Sequence, residues 1–151
     1  MSENISIVDL AKYPAYIHFA QDYLAEHWND KKEAQEIITE SLLQKILPRL
    51  WIALEKDQFV GMILLTDDDG IDFPEKVQPW LMGLYVIPER RGKGIGKQLV
   101  QYCMQYAKDY GFPYIYLDSV SYGDMYRKMG FEYLMDIPWK DTFTQVFRKK
   151  V

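Results

Sequence analysis

Three glycines at alternate positions, Gly92, Gly94 and Gly96, stand where an apolar stretch gives way to a helical pattern. Glycine has no Cβ atom, so the backbone at these positions can approach a ligand closely. The helix that begins here leaves its first N–H groups without intrahelical partners, and its dipole favours anions. Arg91 and Lys93 add positive charge beside the glycines. The segment is therefore predicted to bind a pyrophosphate group.

Other glycine-rich phosphate sites fit this segment less well. A P-loop needs a Ser or Thr after its Gly-Lys pair to hold magnesium, but Gln98 follows Gly96-Lys97. A dinucleotide fingerprint has the spacing Gly-x-Gly-x-x-Gly, and this segment is too short for it. Asp118 lies roughly 20 residues downstream at a predicted strand end, where a ribose-binding acid would lie, so a dinucleotide site stays open as an alternative. A glycine-rich turn without a ligand is the other alternative.

A second motif accompanies the glycines. Tyr126-x-x-x-Gly130-Phe131 follows the pattern Arg91-x-x-Gly94-x-Gly96 by about 30 residues, with an apolar segment between them. Together the two motifs resemble the GNAT superfamily of N-acetyltransferases. The resemblance implies that residues 79–96 form the fourth strand and the acetyl-CoA loop of that family, and that residues 114–117 form its fifth strand. The pyrophosphate would then belong to acetyl-CoA, used as a co-substrate.

The resemblance also implies the fold. We expect an α/β protein with a mixed central sheet of about seven strands flanked by about four helices, in a single N-acetyltransferase domain over residues 1–151. The hydrophobic pattern supplies elements in the order β-α-α-β-β-β-α-β-α-β-β. The strands are predicted at residues 5–10, 51–54, 59–65, 80–87, 114–117, 131–134 and 143–149. The helices are predicted from Pro14, from Asp30 to near Pro48, and over 97–110 and 125–129.

Four details of this prediction can be checked directly. The apolar stripe of the second helix is expected to include Ile46 and Leu50, and that of the third helix to end at Tyr110. The strand at residues 80–87 is largely apolar, as in a sheet buried on both faces. The last two strands are expected to turn around Pro138-Trp139.

The chemistry of acetyl transfer assigns roles to particular residues. Tyr126 is the predicted general acid, because a protonated phenol can supply a proton to a departing thiolate. The resemblance implies that the backbone at the end of the fourth strand binds the pantetheine arm, with the Val86 N–H as the best candidate to be directed at the thioester oxygen. Ser119 or Ser121 is a possible replacement for an Asn that many family members carry in this region. The predicted cofactor-binding residues are Leu84, Tyr85, Val86, Arg91, Gly92, Lys93, Gly94, Ile95, Gly96 and Ser119.

The general base is not identified by the sequence. The fourth strand carries no carboxylate, so Asp72, Glu75 and His27 are candidates by residue type only. The two histidines, His18 and His27, do not share a helical face, and no metal-ligand spacing is present. Cys103 is expected to be a small buried residue of the third helix rather than a nucleophile.

The acceptor site is constrained by charge and aromatic content. An acidic loop precedes the fourth strand and is either a solvated surface or a guide for a cationic amine. Its acids are Asp67, Asp68, Asp69, Asp72 and Glu75. Aromatic side chains could form a wall for such a cation. They are Tyr23, Trp28, Phe73 and Trp80.

Composition agrees with an enzyme of this kind. The chain has 151 residues, a net charge of −4 and a single cysteine. We expect a cytoplasmic protein, monomeric or homodimeric, with a small-molecule or peptide amine as acceptor and with no nucleic-acid or membrane partner. It has no recognisable signal peptide or spanning segment. The predicted function is acetyl-CoA-dependent N-acetyl transfer (EC 2.3.1 class). A catalytically silent CoA-binding module and a nucleotide-binding oxidoreductase are the alternatives.

Overall fold

The computed structural model describes residues 4–27 and 30–151. These residues form one seven-stranded sheet in the order β1-β2-β3-β4-β5-β7-β6. Neighbouring strands are antiparallel except β4 and β5. The strands are β1 (Ile5–Asp9), β2 (Arg49–Glu55), β3 (Gln58–Thr66), β4 (Trp80–Val86), β5 (Tyr114–Ser119), β6 (Glu132–Trp139) and β7 (Thr142–Lys150).

Four α-helices accompany the sheet, so the predicted element order is confirmed. They are α1 (Ile17–His27), α2 (Lys31–Ser41), α3 (Ile95–Asp109) and α4 (Gly123–Lys128). Short 3-10 turns cover Leu10–Lys12, Pro14–Tyr16 and Pro88–Arg90. In the described part of the chain, no helix is both long and apolar enough to cross a membrane.

Local sequence signals explain several element boundaries. The Asp30 side chain caps α2 by accepting hydrogen bonds from the N–H groups of Lys32 and Glu33. Lys56 and Asp57 both have positive φ, at 50° and 63°, which is the turn that a two-residue hairpin needs between β2 and β3. Gly111 follows α3 with a φ of 80°, so the predicted glycine cap is confirmed.

Two buried clusters lie on opposite faces of the sheet. Alternate residues of β2 belong to different clusters, because successive side chains of a strand point to opposite faces. Trp51 and Ala53 pack in the cluster that contains Leu99 and Cys103 of α3. Leu50 and Ile52 pack with Leu24 of α1 and Ile38 of α2. The sheet is thus covered by α3 on one side and by α1 and α2 on the other.

The predicted second helix was too long. The helix ends at Ser41, a turn follows, and Gln44 has a φ of 56°, which a helix cannot contain. Leu50 is buried in β2 rather than on α2, and Ile46 is 50% exposed. Both apolar residues fit a helical repeat, but the run from Leu50 to Leu54 is the interior of a central strand.

Three further predictions are corrected. Tyr110 is 48% exposed and lies outside the buried stripe of α3. Residues 82–86 of β4 are only partly buried, because this end of the strand borders an open cleft. The last turn is at Lys140-Asp141, and Pro138 lies within β6. Proline is tolerated there because β6 is an edge strand, where a missing N–H leaves no neighbour unpaired.

Candidate functional site

The central feature of the site is a gap between β4 and β5. Their only paired residues in the described sheet are Trp80 and Tyr116, near the start of β4. Beyond this point the two parallel strands diverge. The register of β3 against β4 steps from Met62–Tyr85 to Leu64–Met82, so β4 contains one extra residue. This bulge includes Gly83, whose φ is 61°, and it bends the strand where the gap opens.

One backbone N–H at the end of β4 faces this gap. The Ile87 N–H donates to the Val60 carbonyl of β3 at 2.9 Å. Successive N–H groups of a strand point to opposite edges, so the N–H of Val86 points to the β5 side. This is the group predicted to donate to the thioester oxygen, and that role remains a prediction. The Leu84 and Val86 side chains pack against the α3-side cluster, whereas Tyr85 packs on the other face.

The glycine loop and α3 lie next to the end of β4. Gly92 and Gly94 have φ values of 77° and 84°. Apart from each glycine and its two chain neighbours, no atom of the described residues lies within 4 Å of the position where either would carry a Cβ. Gly94 is the N-cap of α3 and no side chain caps the helix, so its first N–H groups remain available to an anion. A Cβ on Gly96 would touch the Val86 side chain at 3.8 Å. The first turn of α3 is therefore held close to β4.

The remaining predicted cofactor residues differ in what they can offer. Arg91 donates from Nε to the Val86 carbonyl at 2.8 Å, and its guanidinium lies 5.8 Å from the centre of the Tyr85 ring. Lys93 is exposed. Ile95 is buried, so only its backbone can reach a ligand. The Ser119 hydroxyl accepts a hydrogen bond from the Tyr122 N–H at 2.9 Å and so shapes the turn before α4. A pantetheine contact for Ser119 remains a prediction.

Tyr126 lies in α4 and is 9% exposed. Burial, with smaller contributions from Tyr23, Asp118 and Tyr122, raises the pKa of the Tyr126 phenol from 10.0 to about 12. The phenol therefore keeps its proton throughout the neutral range. Tyr126 is therefore within electrostatic range of Tyr23 from α1 and Asp118 from β5, although the three residues are far apart in sequence.

An open cleft of about 460 Å³ lies on the side of the gap away from the glycine loop. Its lining joins α1, α2, the β3–β4 loop, the β4 bulge, β5 and the β6–β7 turn. The residues are Tyr23, Leu24, His27, Asp30, Glu33, Asp69, Gly70, Ile71, Met82, Gly83, Asp118, Trp139 and Lys140. Four of the side chains are carboxylic acids and one is a lysine, so the cleft suits a cation better than an anion.

The structure separates the acidic loop into two parts. Asp69 lines the cleft, whereas Asp67, Asp68, Asp72 and Glu75 are exposed and do not. Neither Asp72 nor Glu75 is therefore placed to act as a base in the cleft. His27 does line it, at the end of α1, with Nδ1 2.9 Å from the Tyr23 carbonyl.

The predicted aromatic wall is only partly formed. Tyr23 lines the cleft and its ring lies 4.3 Å from that of Tyr85. Burial raises the pKa of the Tyr23 phenol, and Tyr85 adds to the effect. Phe73 and Trp80 instead belong to a small buried cluster with Tyr116. Trp28 lies outside the described residues.

Sequence reasoning missed two parts of the site. The β4 bulge at Gly83 had no recognisable signal except an isolated glycine within an apolar strand. The contact between Asp69 and Asp118 had none, since five acids of the loop are equivalent in sequence. Asp118 does lie at a strand end, but the dinucleotide fold that it kept open is excluded. Only β4 and β5 are parallel in the described sheet, whereas a doubly wound domain needs a mostly parallel sheet.

Cys103 is confirmed as a core residue. It is fully buried in α3, and burial raises the pKa of its thiol well above the usual value, so it is a poor nucleophile. Among the described residues, no group of three or more His, Cys, Asp or Glu side chains could hold a metal ion.

Comparison with known proteins agrees with this geometry. Solved structures share the fold across nearly the whole chain. A putative GNAT-family acetyltransferase from Desulfovibrio desulfuricans superimposes with a TM-score of 0.75 at 14% identity, covering 97% of this chain and 98% of that one. An aminoglycoside 6'-N-acetyltransferase complexed with coenzyme A gives 0.72 at 20% identity, covering 96% of both chains. At these identities the likeness establishes the fold alone.

Sequence comparison adds the family. Human N-acetyltransferase 8 is 34% identical over 100 residues, which are 63% of this chain and 43% of that protein. The chain thus matches less than half the length of this curated relative. The family model described as "Acetyltransferase (GNAT) family" matches residues 13–131, a span that contains the glycine loop, the β4 bulge and Tyr126. The chain belongs to the GNAT acetyltransferase family.

Proposed function

We propose that this protein is an N-acetyltransferase that moves an acetyl group from acetyl-CoA to an amine. The observation that carries the proposal is the gap between β4 and β5. It connects a glycine loop with free helix N–H groups on one side to an acidic cleft on the other. One opening could thus admit an anionic acyl donor and a cationic acceptor from opposite sides of the sheet.

The residues present fit acetyl-CoA. Its pyrophosphate would be held by the backbone of Gly92 and Gly94 and by the first turn of α3, where no side chain fills the space beside the glycines. Arg91 would add positive charge at the rim. When bound, acetyl-CoA supplies a thioester-activated acetyl group. An aminoglycoside 6'-N-acetyltransferase with the same fold is complexed with coenzyme A, which supports a coenzyme A thioester as the donor here.

The protein's own groups would stabilise charge and supply a proton during acetyl transfer. The Val86 N–H is a preorganised donor for oxyanion charge, an effect worth about 3 kcal/mol in other enzymes. Tyr126 holds a proton at Oη throughout the neutral range, because its pKa is raised to about 12. It would donate a hydrogen bond, and then this proton, to the thiolate as the C–S bond breaks. Tyr23 and Tyr85, whose rings lie 4.3 Å apart, border the site on the α1 side.

The acceptor that we propose is an amine of a small molecule or peptide. The supporting observation is the excess of carboxylic acids over lysine in the cleft lining. We further propose that residues 1–151 form one such domain, monomeric or homodimeric. A cytoplasmic location is proposed because the only cysteine is a buried thiol, which suits a reducing compartment.

Two measurements test this function. Calorimetric titration with acetyl-CoA, and separately with NADH, should give binding to the first and none to the second. Thiol release from acetyl-CoA should then rise with an amine from a mixed panel, and mass spectrometry should find the acetylated amine. Binding of acetyl-CoA with no transfer to any amine would instead make the protein a CoA-binding module. Binding of NADH alone would indicate a nucleotide-binding protein.

A further inference from the structure

Two carboxyl groups meet at the wall of the cleft. Asp69 reaches it from the β3–β4 loop and Asp118 from β5. Oδ1 of Asp69 accepts the Ile71 N–H at 3.1 Å, and Oδ2 of Asp118 accepts the Thr144 hydroxyl at 2.8 Å. Oδ2 of Asp69 is buried and has no N–H or O–H donor among the described residues. The Asp69 side chain lies within hydrogen-bonding reach of the Asp118 carboxyl. Two carboxyl groups can form that hydrogen bond only when one of them is protonated.

This arrangement holds one proton at neutral pH. Burial, followed by the hydrogen bond with Asp118 and by its charge, raises the pKa of Asp69 to about 9. Two adjacent carboxylates cannot both ionise without strong repulsion, so the pair titrates as a unit and carries a single negative charge near pH 7.

The charged surroundings of the pair are mixed. Asp68 of the same loop raises the pKa further, and Tyr126 of α4 is within electrostatic range of Asp118. The other titratable groups that face the cleft are Tyr23 and His27 from α1, Asp30 and Glu33 at the start of α2, and Lys140 from the β6–β7 turn. Among the described residues of this set, Asp69 has a buried carboxyl oxygen that accepts no hydrogen bond.

We propose that Asp69 and Asp118 act together as the proton acceptor for an aliphatic ammonium group that enters the cleft. The inference rests on the proposed function, because it supplies the base which that reaction needs. The cleft is lined both by this pair and by Gly83 of the β4 bulge, so an amine held there would be close to the base and to the strand that borders the gap.

The proton step balances within the pair. As the cation enters, the pair first loses its shared proton to solvent, so that both carboxyls are ionised. One N–H bond of R–NH₃⁺ then breaks and one O–H bond forms on the pair. This leaves R–NH₂ with a free lone pair and the pair with one negative charge. Solvent later takes the proton. An alkylammonium has a pKa near 10.4, about that of lysine, so a base with a pKa near 9 is closely matched, whereas an isolated carboxylate near 4 is not.

Proton release on amine binding tests the pair without any acetyl transfer. Before binding at pH 7.5, the pair holds one proton and the free amine is R–NH₃⁺. If the pair accepts a proton from the amine, the complex contains one proton fewer than the separate protein and amine. We would titrate butylamine into the full chain by calorimetry in buffers of different ionisation enthalpy. We expect about one proton released per butylamine by the native protein. Butanol, its neutral counterpart, should release none.

Variants assign that proton to the pair. Asp69→Asn should abolish the release, because it removes the acid that holds the proton. Asp118→Asn should reduce the release, because it removes the hydrogen bond and the charge of the partner while burial still raises the pKa of Asp69. Asp22→Asn makes the same charge change at an exposed position beside Tyr23 and should release protons as the native protein does. Carboxyl-carbon NMR of aspartate-labelled native protein should also show one carboxyl titrating near pH 9.

The possible outcomes separate this inference from the proposed function. No butylamine binding, binding without proton release, release that persists in Asp69→Asn, or release that is undiminished in Asp118→Asn would each overturn the inference. If the amine panel is nevertheless acetylated, the proposed function stands and only the base is wrong. Proton release that depends on the pair, with no acetylation of any amine, would support the inference and overturn the proposed function.

Discussion

Nε of Arg91 donates a 2.8 Å hydrogen bond to the carbonyl of Val86, which joins the glycine loop to the end of β4. The residue proposed for the phosphate rim thus also contacts the strand end proposed for the thioester. Its guanidinium lies close to the Tyr85 ring as well. The position of the loop and the position of the Val86 backbone are therefore coupled through one side chain.

Replacement of this arginine should weaken acetyl-CoA binding. We expect Arg91→Ala to lower the affinity about tenfold, which is ~1.4 kcal/mol, because both a cation and a hydrogen bond are lost. The loss should be larger at low salt than at high salt, since ions screen an exposed charge. Calorimetry at two salt concentrations measures this. Arg90→Ala is the control, because Arg90 Nε instead pairs with Glu55 at 2.5 Å, and an equal loss there would make the effect one of net charge.

Gly94 should be required for its shape at the phosphate site. Gly94→Ala and Gly111→Ala start from nearly the same φ, 84° and 80°, with no atom within 4 Å of either new Cβ. Each variant should therefore lose about 1–2 kcal/mol of unfolding free energy from left-handed backbone strain. Only Gly94→Ala should also lose acetyl-CoA affinity, by about tenfold. Denaturant unfolding and calorimetry together check this, and an unchanged affinity would remove the glycine loop from the site.

Tyr126→Phe should slow turnover with little effect on binding. The variant keeps the ring and removes only the proton donor, so we expect kcat to fall by about 10²-fold and the KM for acetyl-CoA to stay nearly constant. Tyr122→Phe is the control, because Tyr122 is a neighbouring tyrosine that is 65% exposed. Steady-state kinetics with an amine that the protein acetylates measure kcat and KM for both variants. Full activity of Tyr126→Phe would assign the proton to water.

The carboxyl pair should reduce stability as pH rises. Burial and Asp118 raise the pKa of folded Asp69 to about 9, above its unfolded value of 3.8. The folded state therefore binds the proton more tightly, and the stability linked to Asp69 is fully present below pH 4 and is lost progressively up to about pH 9. Asp69→Asn cannot ionise and still donates a hydrogen bond to Asp118. Its Tm should exceed that of the native protein at pH 8, by a margin that shrinks toward pH 4.

Thermal unfolding at several pH values measures this margin. Asp22→Asn removes an exposed carboxylate and should show no such trend with pH. If the Tm difference for Asp69→Asn is constant between pH 4 and pH 8, the two acids do not share a proton in the folded protein.

Much of the molecule follows from local sequence. Gly94 and Gly111 mark the two ends of α3, and the stripe Ile95, Leu99, Cys103 and Ala107 is buried as predicted. The hairpin at Lys56-Asp57 and the cap at Asp30 also follow from short-range signals. These features depend on backbone conformation and on side chains a few residues apart, so a single stretch of sequence contains the information. The motifs around Gly94 and Tyr126 similarly indicate the family and the donor side of the site.

Only the tertiary structure determines which residues form the acceptor side of the site. Leu50 fits a helical repeat as well as a strand, and only its pairing within the sheet places it in β2. Among the acids of the β3–β4 loop, only Asp69 meets Asp118, because the loop returns to β4 where β4 and β5 are still paired. The pKa of a carboxyl depends on burial and on charges brought together from distant segments. The sequence shows that a residue is an aspartate, but the fold determines whether that aspartate is a surface charge or a base.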